Sequence, residues 1–484
     1  MSPPPLWLVP PSEPDGVRPP PILDPRVWAE QTFGTAALGD RRRTRRIVAT
    51  AAVIAAQPMA SLPRQLRDPA ALKAVYRLMH EPDVSCAALV APHCAQTQAA
   101  AATWPVVLFV QDTSELDFTH HPKTTGLGPI GDGRGRGILL QTDLAVIPVP
   151  RQVLGIAYLE PFLRQPVPRP DETTAQRQQR ARESDVWARA VAAIGAPPTP
   201  VRWVHVADRG ADVFTFLAAC QGQGTDFVVR LTQDRRVTSA DGTPGHLLQL
   251  ARALPGRDTR AVAVPARPAR RGQPARPART AQVAIAWAPL TVHPPTHTPA
   301  QTPIPGWVVR AWEPAPPPGE PEPLEWVLLT SVPTEVIGAA WERIDWYRCR
   351  WLVEDFHQCL KTGCRLEATQ LRDEAALERV LGLLAPTAVR LLQGREAARL
   401  EPDRPAIEVI EAEIVEVVAA RTAVASTDLT CAQFWQLVAR LGGHQGRARD
   451  RPPGWRTIWH GWLYIQTLRE GLHLAPLLTN PRCG

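Results

Sequence analysis

Proline fills 53 of the 484 positions. Its ring fixes φ and it offers no backbone donor, so regular structure is confined to the windows between proline clusters. Residues 1 to about 20, opening MSPPPLWLVPPSEPDG, form one such cluster and read as disordered. A chain of this length has room for two to four domains. Apolar residues make up 44% and charged ones 21%, ordinary globular usage that excludes wholesale disorder, coiled coil and collagen.

Between the clusters the periodicity changes along the chain. Trp28, Phe33, Leu38, Ile47, Val53, Leu72, Val75, Tyr76 and Met79 recur at mostly helical spacing, predicting a helical domain over residues 21–90. The middle differs: Val106–Val110, Ile138–Ile147 and Val153–Leu159 are short β-rich runs between Gly and Pro clusters. The Gly-rich stretch Gly126–Gly137 lacks GK[ST] and precedes a strand, so it reads as a hairpin loop and not a phosphate loop. A helical stretch from Asp171 to Ala193, a strand at Val201–Val206, a helix at Ala211–Cys220 and a strand at Phe227–Leu231 follow.

That β-β-β-α-β-α-β order predicts an α/β fold, a ribonuclease H-like mixed sheet over residues 91–394. A β-rich insertion outside this core is expected at about 232–324, with the run Trp326–Thr330 returning the chain to it. Beyond 394 the pattern is helical again, predicting a helical dimerisation domain over residues 395–484. There Trp455, Trp459 and Trp462 share one helical face, which reads either as core or as a protein interface.

Charge narrows the partners. The net charge is only +7, and Lys73, Lys123 and Lys361 are the only lysines, so nearly every base is Arg and each lysine calls for a reason. Arg41, Arg42, Arg43, Arg45 and Arg46 crowd into GDRRRTRR, and eight arginines lie between Arg252 and Arg279 against the single acid Asp258. Both tracts suit DNA phosphates; a solvated face in an Arg-biased chain and a merely soluble linker are the plainer readings. No apolar run reaches the ~18 residues needed to span a bilayer, and no signal-peptide pattern opens the chain. The eight cysteines show no CxxC pairing and fit a reducing cytoplasm. His357, Cys359 and Cys364 lie close together but lack a second ligand pair for zinc.

Chemistry points to three carboxylates. Asp112 and Asp208 each end a β-run, where Asp also serves as a turn residue or cap. In YRCRWLVEDFHQCLK, at about 100° per residue, Tyr347, Arg350, Glu354 and Lys361 share one stripe, while Leu352, Val353, Phe356 and Leu360 lie opposite. The stripe is expected to point away from the core, and a solvated face is its plain reading. Three carboxylates on separated elements are also what two-metal phosphoryl transfer requires. Arg350 and Lys361 would then hold the phosphates beside the scissile bond, with Tyr347 hydrogen-bonding one of their oxygens.

Tyr-x2-Arg-x3-Glu-x6-Lys after two strand-terminal aspartates resembles the signature of the cut-and-paste DDE transposases of the insertion-sequence-four group, and within it the transposon-five type. WAEQTFGTAALGDRRRTRR, QDTSELDF, VADRGADV, DFVVR, LEWVLLTSVP and LVARLGG extend the resemblance from Trp28 to about Leu472. It implies that Asp112, Asp208 and Glu354 bind two Mg²⁺ ions, with Mn²⁺ as a substitute. It implies phosphate contacts by Tyr347, Arg350 and Lys361, a flipped base stacked on Trp326 with Arg230 beside it, and Trp351 probing a DNA hairpin. It further implies double-stranded transposon-end and target DNA as partners, a synaptic homodimer, cleavage through a hairpin, transfer of 3′-OH ends, and a bacterial, nucleoid-associated cytoplasmic protein. A non-catalytic DNA-binding regulator and a structure-specific nuclease are the alternatives.

Overall fold

The computed structural model describes residues 24–164, 173, 182–266, 275–296, 301–317, 323–447 and 453–479. The proline-rich first 20 residues, most of the expected helical stretch 171–181, the centre of the basic tract at 267–274 and the side chain of Trp455 lie outside the described residues.

The chain begins with helices α1 (Pro25–Phe33), α2 (Arg41–Ala56), α3 (Leu62–Gln65), α4 (Pro69–Leu78) and α5 (Cys86–Ala101). Two of them start at an Asp-Pro pair. Asp24 and Asp68 accept backbone N–H groups of the first turn, and the proline after each fills a position whose N–H would have no partner. These helices do not form a free-standing core. Phe33, Ile47, Val75 and Leu89 belong to one apolar cluster with Leu108, Val110, Leu140 and Ile156 of the sheet and with Leu377 and Leu384 of α11 (Glu374–Leu400).

Among the described residues, twelve strands make a single mixed sheet. β1 (Val106–Asp117) pairs antiparallel with β3 (Gly135–Ile147), which pairs with β4 (Gln152–Phe162); on its other side β1 pairs in parallel with β5 (Arg202–Ala207), and β5 with β6 (Asp226–Arg230). β2 (Gly128–Ile130) turns back onto β3, so the Gly-rich stretch is a hairpin loop. Side chains alternate across the sheet. Leu108 and Val110 of β1 face the N-terminal helices and α11, while Val107 and Phe109 face the opposite side with Trp203. That opposite side is covered by α6 (Asp185–Ile194), α7 (Phe214–Gln223) and α8 (Leu247–Ala253).

The insertion does not stand apart, contrary to expectation. β7 (Arg236–Ser239), β8 (Pro244–His246), β9 (Asp258–Val264), β10 (Arg279–Val292), β11 (Ile304–Trp312) and β12 (Glu325–Thr330) continue the same sheet, because β12 pairs with β6 on one edge and β11 on the other. An edge strand leaves a row of backbone groups without partners, and the insertion supplies them.

Two further departures concern helices. After α9 (Ile337–Arg348) the chain tightens: Cys349 and Arg350 donate to carbonyls three residues back, and α10 (Trp351–Gln358) starts on a new course, ending in a wide π-helical turn at Cys359–Gly363. Further on, α11 runs unbroken through the expected boundary at 394 to Leu400. Beyond it, α12 (Ala412–Thr422), α13 (Cys431–Leu441) and α14 (Trp455–Thr479) enclose a separate cluster around Ile414, Val418, Phe434, Val438 and Ile465. Trp462 stacks on Trp435 at 5.4 Å, and Trp459 is buried against Gly363. α13 and α14 cross at glycines: a Cβ on Gly461 would lie 1.7 Å from the Val438 carbonyl oxygen.

Candidate active site and nucleic-acid interface

Parallel pairing brings two aspartates together. Gln111 of β1 lies opposite Ala207 of β5, so the next residue on each strand, Asp112 and Asp208, emerges at the same place. Asp208 follows the end of β5 and caps a short turn, its Oδ1 accepting the Gly210 N–H at 2.7 Å. Asp112 is not strand-terminal as expected. β1 continues to Asp117 because β3 goes on pairing with it after β5 has left, with Asp112 directly opposite Thr142.

Glu354 reaches this point from α10. Arg350 connects it to the strand: Nη2 donates to Glu354 Oε1 at 2.6 Å and Nη1 to Asp112 Oδ2 at 3.3 Å. Burial pushes the Asp112 carboxyl up to about 7; Arg350 opposes this, and the facing charges of Asp208 and Glu354 add to it. Among the described residues, no three of His, Cys, Asp and Glu close round a common point, the Asp112, Asp208 and Glu354 trio included. The guanidinium stands between two of its members.

Half of the polar stripe does not face solvent, which corrects the expectation from its angular spacing; Glu354 and Lys361 stay partly exposed. Tyr347 is 4% and Arg350 7% exposed. The tightened turn at 349–350 redirects the chain, and Leu352, Val353 and Phe356 pack into the core while Arg350 and Glu354 lie over the acidic rim of the sheet. Lys361, beyond the π-helical turn, donates to the Glu115 carbonyl at 2.6 Å, further along β1.

Aromatic groups border the carboxylates. The Trp326 ring lies 6.3 Å from that of Tyr347, and Trp351 is 52% exposed with the Arg350 guanidinium 5.0 Å from its ring centre. Arg230, whose strand neighbour is Leu328, donates to the Glu325 carbonyl at 3.3 Å, one residue from Trp326. The sequence pattern did not single out a partner for His357. Its Nε2 is 3.1 Å from Thr142 Oγ1, and burial lowers its pKa to about 3, with Lys361 and Arg350 adding to the effect. A neutral imidazole thus ties the Glu354 helix to the residue opposite Asp112.

The arginine-rich start of α2 splits in two. Arg41, Arg42, Arg45 and Arg46 are exposed, and no acid among the described residues pairs with them. Arg43 belongs to the fold instead, holding Glu81 and Asp83 at 2.9 Å each and the Leu38 carbonyl at 3.0 Å. Four bare cations at the positive end of a helix dipole repel one another, an arrangement that an anionic partner relieves. A cleft of about 1080 Å³ opens between α4, the segment after β1 and the segment before α11, lined by Lys73, Arg77, Lys123 and Arg372 among others. Lysine scarcity was the one signal of it in the sequence, since two of the three lysines are here.

Comparison with known families agrees with this geometry. Residues 25–84 match a family described as transposase DNA-binding, and residues 196–389 one described as transposase DDE domain. The first span contains the basic start of α2 and the cleft residues of α4; the second contains Asp208, Trp326, Tyr347, Arg350, Glu354 and Lys361. Asp112 precedes the second span and joins it through the β1–β5 pairing. With the two spans covering just over half of its length, the chain belongs to the DDE transposases, DNA-cleaving enzymes that here carry their own DNA-binding domain.

Proposed function

We propose that the chain performs cut-and-paste transposition in the manner of the insertion-sequence-four group, with Asp112, Asp208 and Glu354 as its catalytic carboxylates. The observation that carries this is the β1–β5 pairing that sets Asp112 beside Asp208, with Arg350 linking Asp112 to Glu354 of α10, in a chain matching both transposase families. The strand order β4-β3-β1-β5-β6, with only β3 antiparallel to the rest of that set, supports a ribonuclease H-like core.

The three carboxylates offer only hard oxygen donors, so by their chemistry they suit a pair of divalent ions, Mg²⁺ or Mn²⁺. When bound, such ions neutralise the phosphodiester and make water or a 3′-OH a competent nucleophile at neutral pH. The chain's own groups do the rest. Arg350, Lys361 and Tyr347 hold the phosphates flanking the scissile bond; Trp326 and Trp351 offer ring faces to a base drawn out of the stack when the 3′-OH attacks the opposite strand and closes a hairpin, with Arg230 beside that strand. Nicking, hairpin closure, hairpin opening and strand transfer are all in-line displacements at phosphorus, so one set of residues serves each. The exposed Arg41, Arg42, Arg45 and Arg46 grip the transposon end. Leu472 and Leu474, exposed on α14, support a second copy docking there in a synaptic homodimer. No helix among the described residues is long and apolar enough to cross a membrane, and a DNA-bound cytoplasmic protein suits this activity.

Asp112→Ala, Asp208→Ala and Glu354→Ala are each expected to abolish Mg²⁺-dependent nicking of DNA flanking the gene while leaving end binding intact. Nicking retained by any one of them removes that residue from the site.

A further inference from the structure

Within the chain, Arg350 already satisfies two of the proposed cation-holding carboxylates. It takes Asp112 Oδ2 and Glu354 Oε1 with its two terminal nitrogens, and its side chain is only 9% exposed. A guanidinium does not lose its proton at any pH a protein tolerates. The carboxylates can therefore be vacated only if the side chain moves. Any divalent ion bridging Asp112 and Glu354 meets this fixed positive charge first.

The same side chain is poised to leave. Its Nε is buried and has no hydrogen-bond partner among the described residues, so its present position wastes a charged donor. A phosphodiester, with two terminal oxygens, can take Nε and a terminal nitrogen together in a paired fork, which no single carboxylate here provides. Arg350 also sits at the tightened junction between α9 and α10, beside the exposed Trp351 ring on which its guanidinium can slide towards DNA.

We propose that Arg350 is an internal placeholder for the metal ions: a DNA phosphate must draw its guanidinium away from Asp112 and Glu354 before these carboxylates take up divalent cations, so DNA binds first and metal second. This rests on the reading of Asp112, Asp208 and Glu354 as the cation-holding set. The coupling is reciprocal, so bound metal also tightens the grip of Arg350 on DNA.

Mn²⁺ binding to the full-length protein, followed by electron paramagnetic resonance, tests this without any cleavage readout. Without DNA, Arg350→Gln should bind Mn²⁺ about tenfold more tightly than the wild type, within the usual range of coupling between sites. A duplex copied from the DNA flanking the gene should tighten Mn²⁺ binding by the wild type and leave that of Arg350→Gln little changed. Equal or weaker Mn²⁺ binding by Arg350→Gln without DNA overturns the placeholder role. Arg350→Lys, whose point charge cannot span both acids, serves if the Gln variant does not fold; it too should bind Mn²⁺ more tightly than the wild type, and an unchanged affinity again overturns the proposal. Adding Asp112→Asn to Arg350→Gln should remove the gained affinity. If it does not, the ions lie elsewhere, and it is the site assignment beneath the proposal that fails.

Discussion

Two regions of this chain are rich in arginine, and they use it in opposite ways. At the start of α2, four of five arginines point into solvent with no acidic partner among the described residues. In the insertion, described arginines are instead engaged by partners within the fold. Arg252 pairs with Glu325 at 2.9 Å, Arg260 with Asp345 at 3.0 Å, Arg310 with Glu325 at 2.8 Å and Arg279 with Glu313, while Arg257 lies over the Trp287 ring. Arginine-rich sequence thus becomes an available charge in one place and a structural one in the other. Only the first can be transferred to phosphate without first breaking something.

The largest effect should come from the available set. Replacing Arg41, Arg42, Arg45 and Arg46 together by Gln removes up to four phosphate contacts, and each contact contributes ~0.9 to the slope of log K against log salt. The expected loss is about 10³-fold in affinity near physiological salt, with the slope reduced by about 3 to 4. Fluorescence anisotropy of a labelled duplex across a salt series measures both. A slope unchanged by the four substitutions would sink the contrast, because it would mean that α2 does not touch the DNA backbone.

This contrast was only half legible in the sequence. Local features were readable: runs of Val and Leu bounded by Gly and Pro marked β1, β5, β6 and β12, and the spacing of Tyr347, Arg350, Glu354 and Lys361 marked a shared helical face. Long-range pairing was not. The sequence pattern of the insertion shows strands, yet nothing local tells β11 to pair with β12 and so extend the core sheet. Angular spacing on α9 and α10 groups residues on one face but says nothing of what the face meets, and it misses a turn tightened at Cys349 and Arg350, residues that any helix would accept. Partners of arginine are equally remote: Arg279 meets Glu313 across the sheet, and Arg43 meets Asp83 from another helix.

The insertion supplies the next test. Glu313 is 3% exposed at its side chain and gripped through both oxygens by Arg279, which holds its carboxyl below the usual range, with burial opposing. Arg279→Ala leaves that carboxylate with part of its hydrogen bonding lost and should lower stability by about 2 kcal/mol. Thermal unfolding should show the loss, and the salt slope for DNA binding should stay that of the wild type. A lowered slope with unchanged unfolding would move Arg279 from the structural class to the DNA-contacting one.

The smallest expected effect falls within α2 itself and sharpens the contrast most closely. Arg43 has the same neighbours in sequence as the four exposed arginines, yet it bridges α2 to the turn carrying Glu81 and Asp83, and it donates to the carbonyl of Leu38. Those contacts are solvent-accessible, so their individual worth is small. Arg43→Gln should lower the melting temperature slightly and leave the salt slope untouched, whereas Arg42→Gln should leave melting alone and lower the slope by about one contact's share, ~0.9. The two substitutions remove the same charge from adjacent positions of one helix. If both change the slope equally, what matters at this helix start is the summed field and not which side chain is free to move; if they separate as expected, pairing inside the fold decides which arginines reach the DNA.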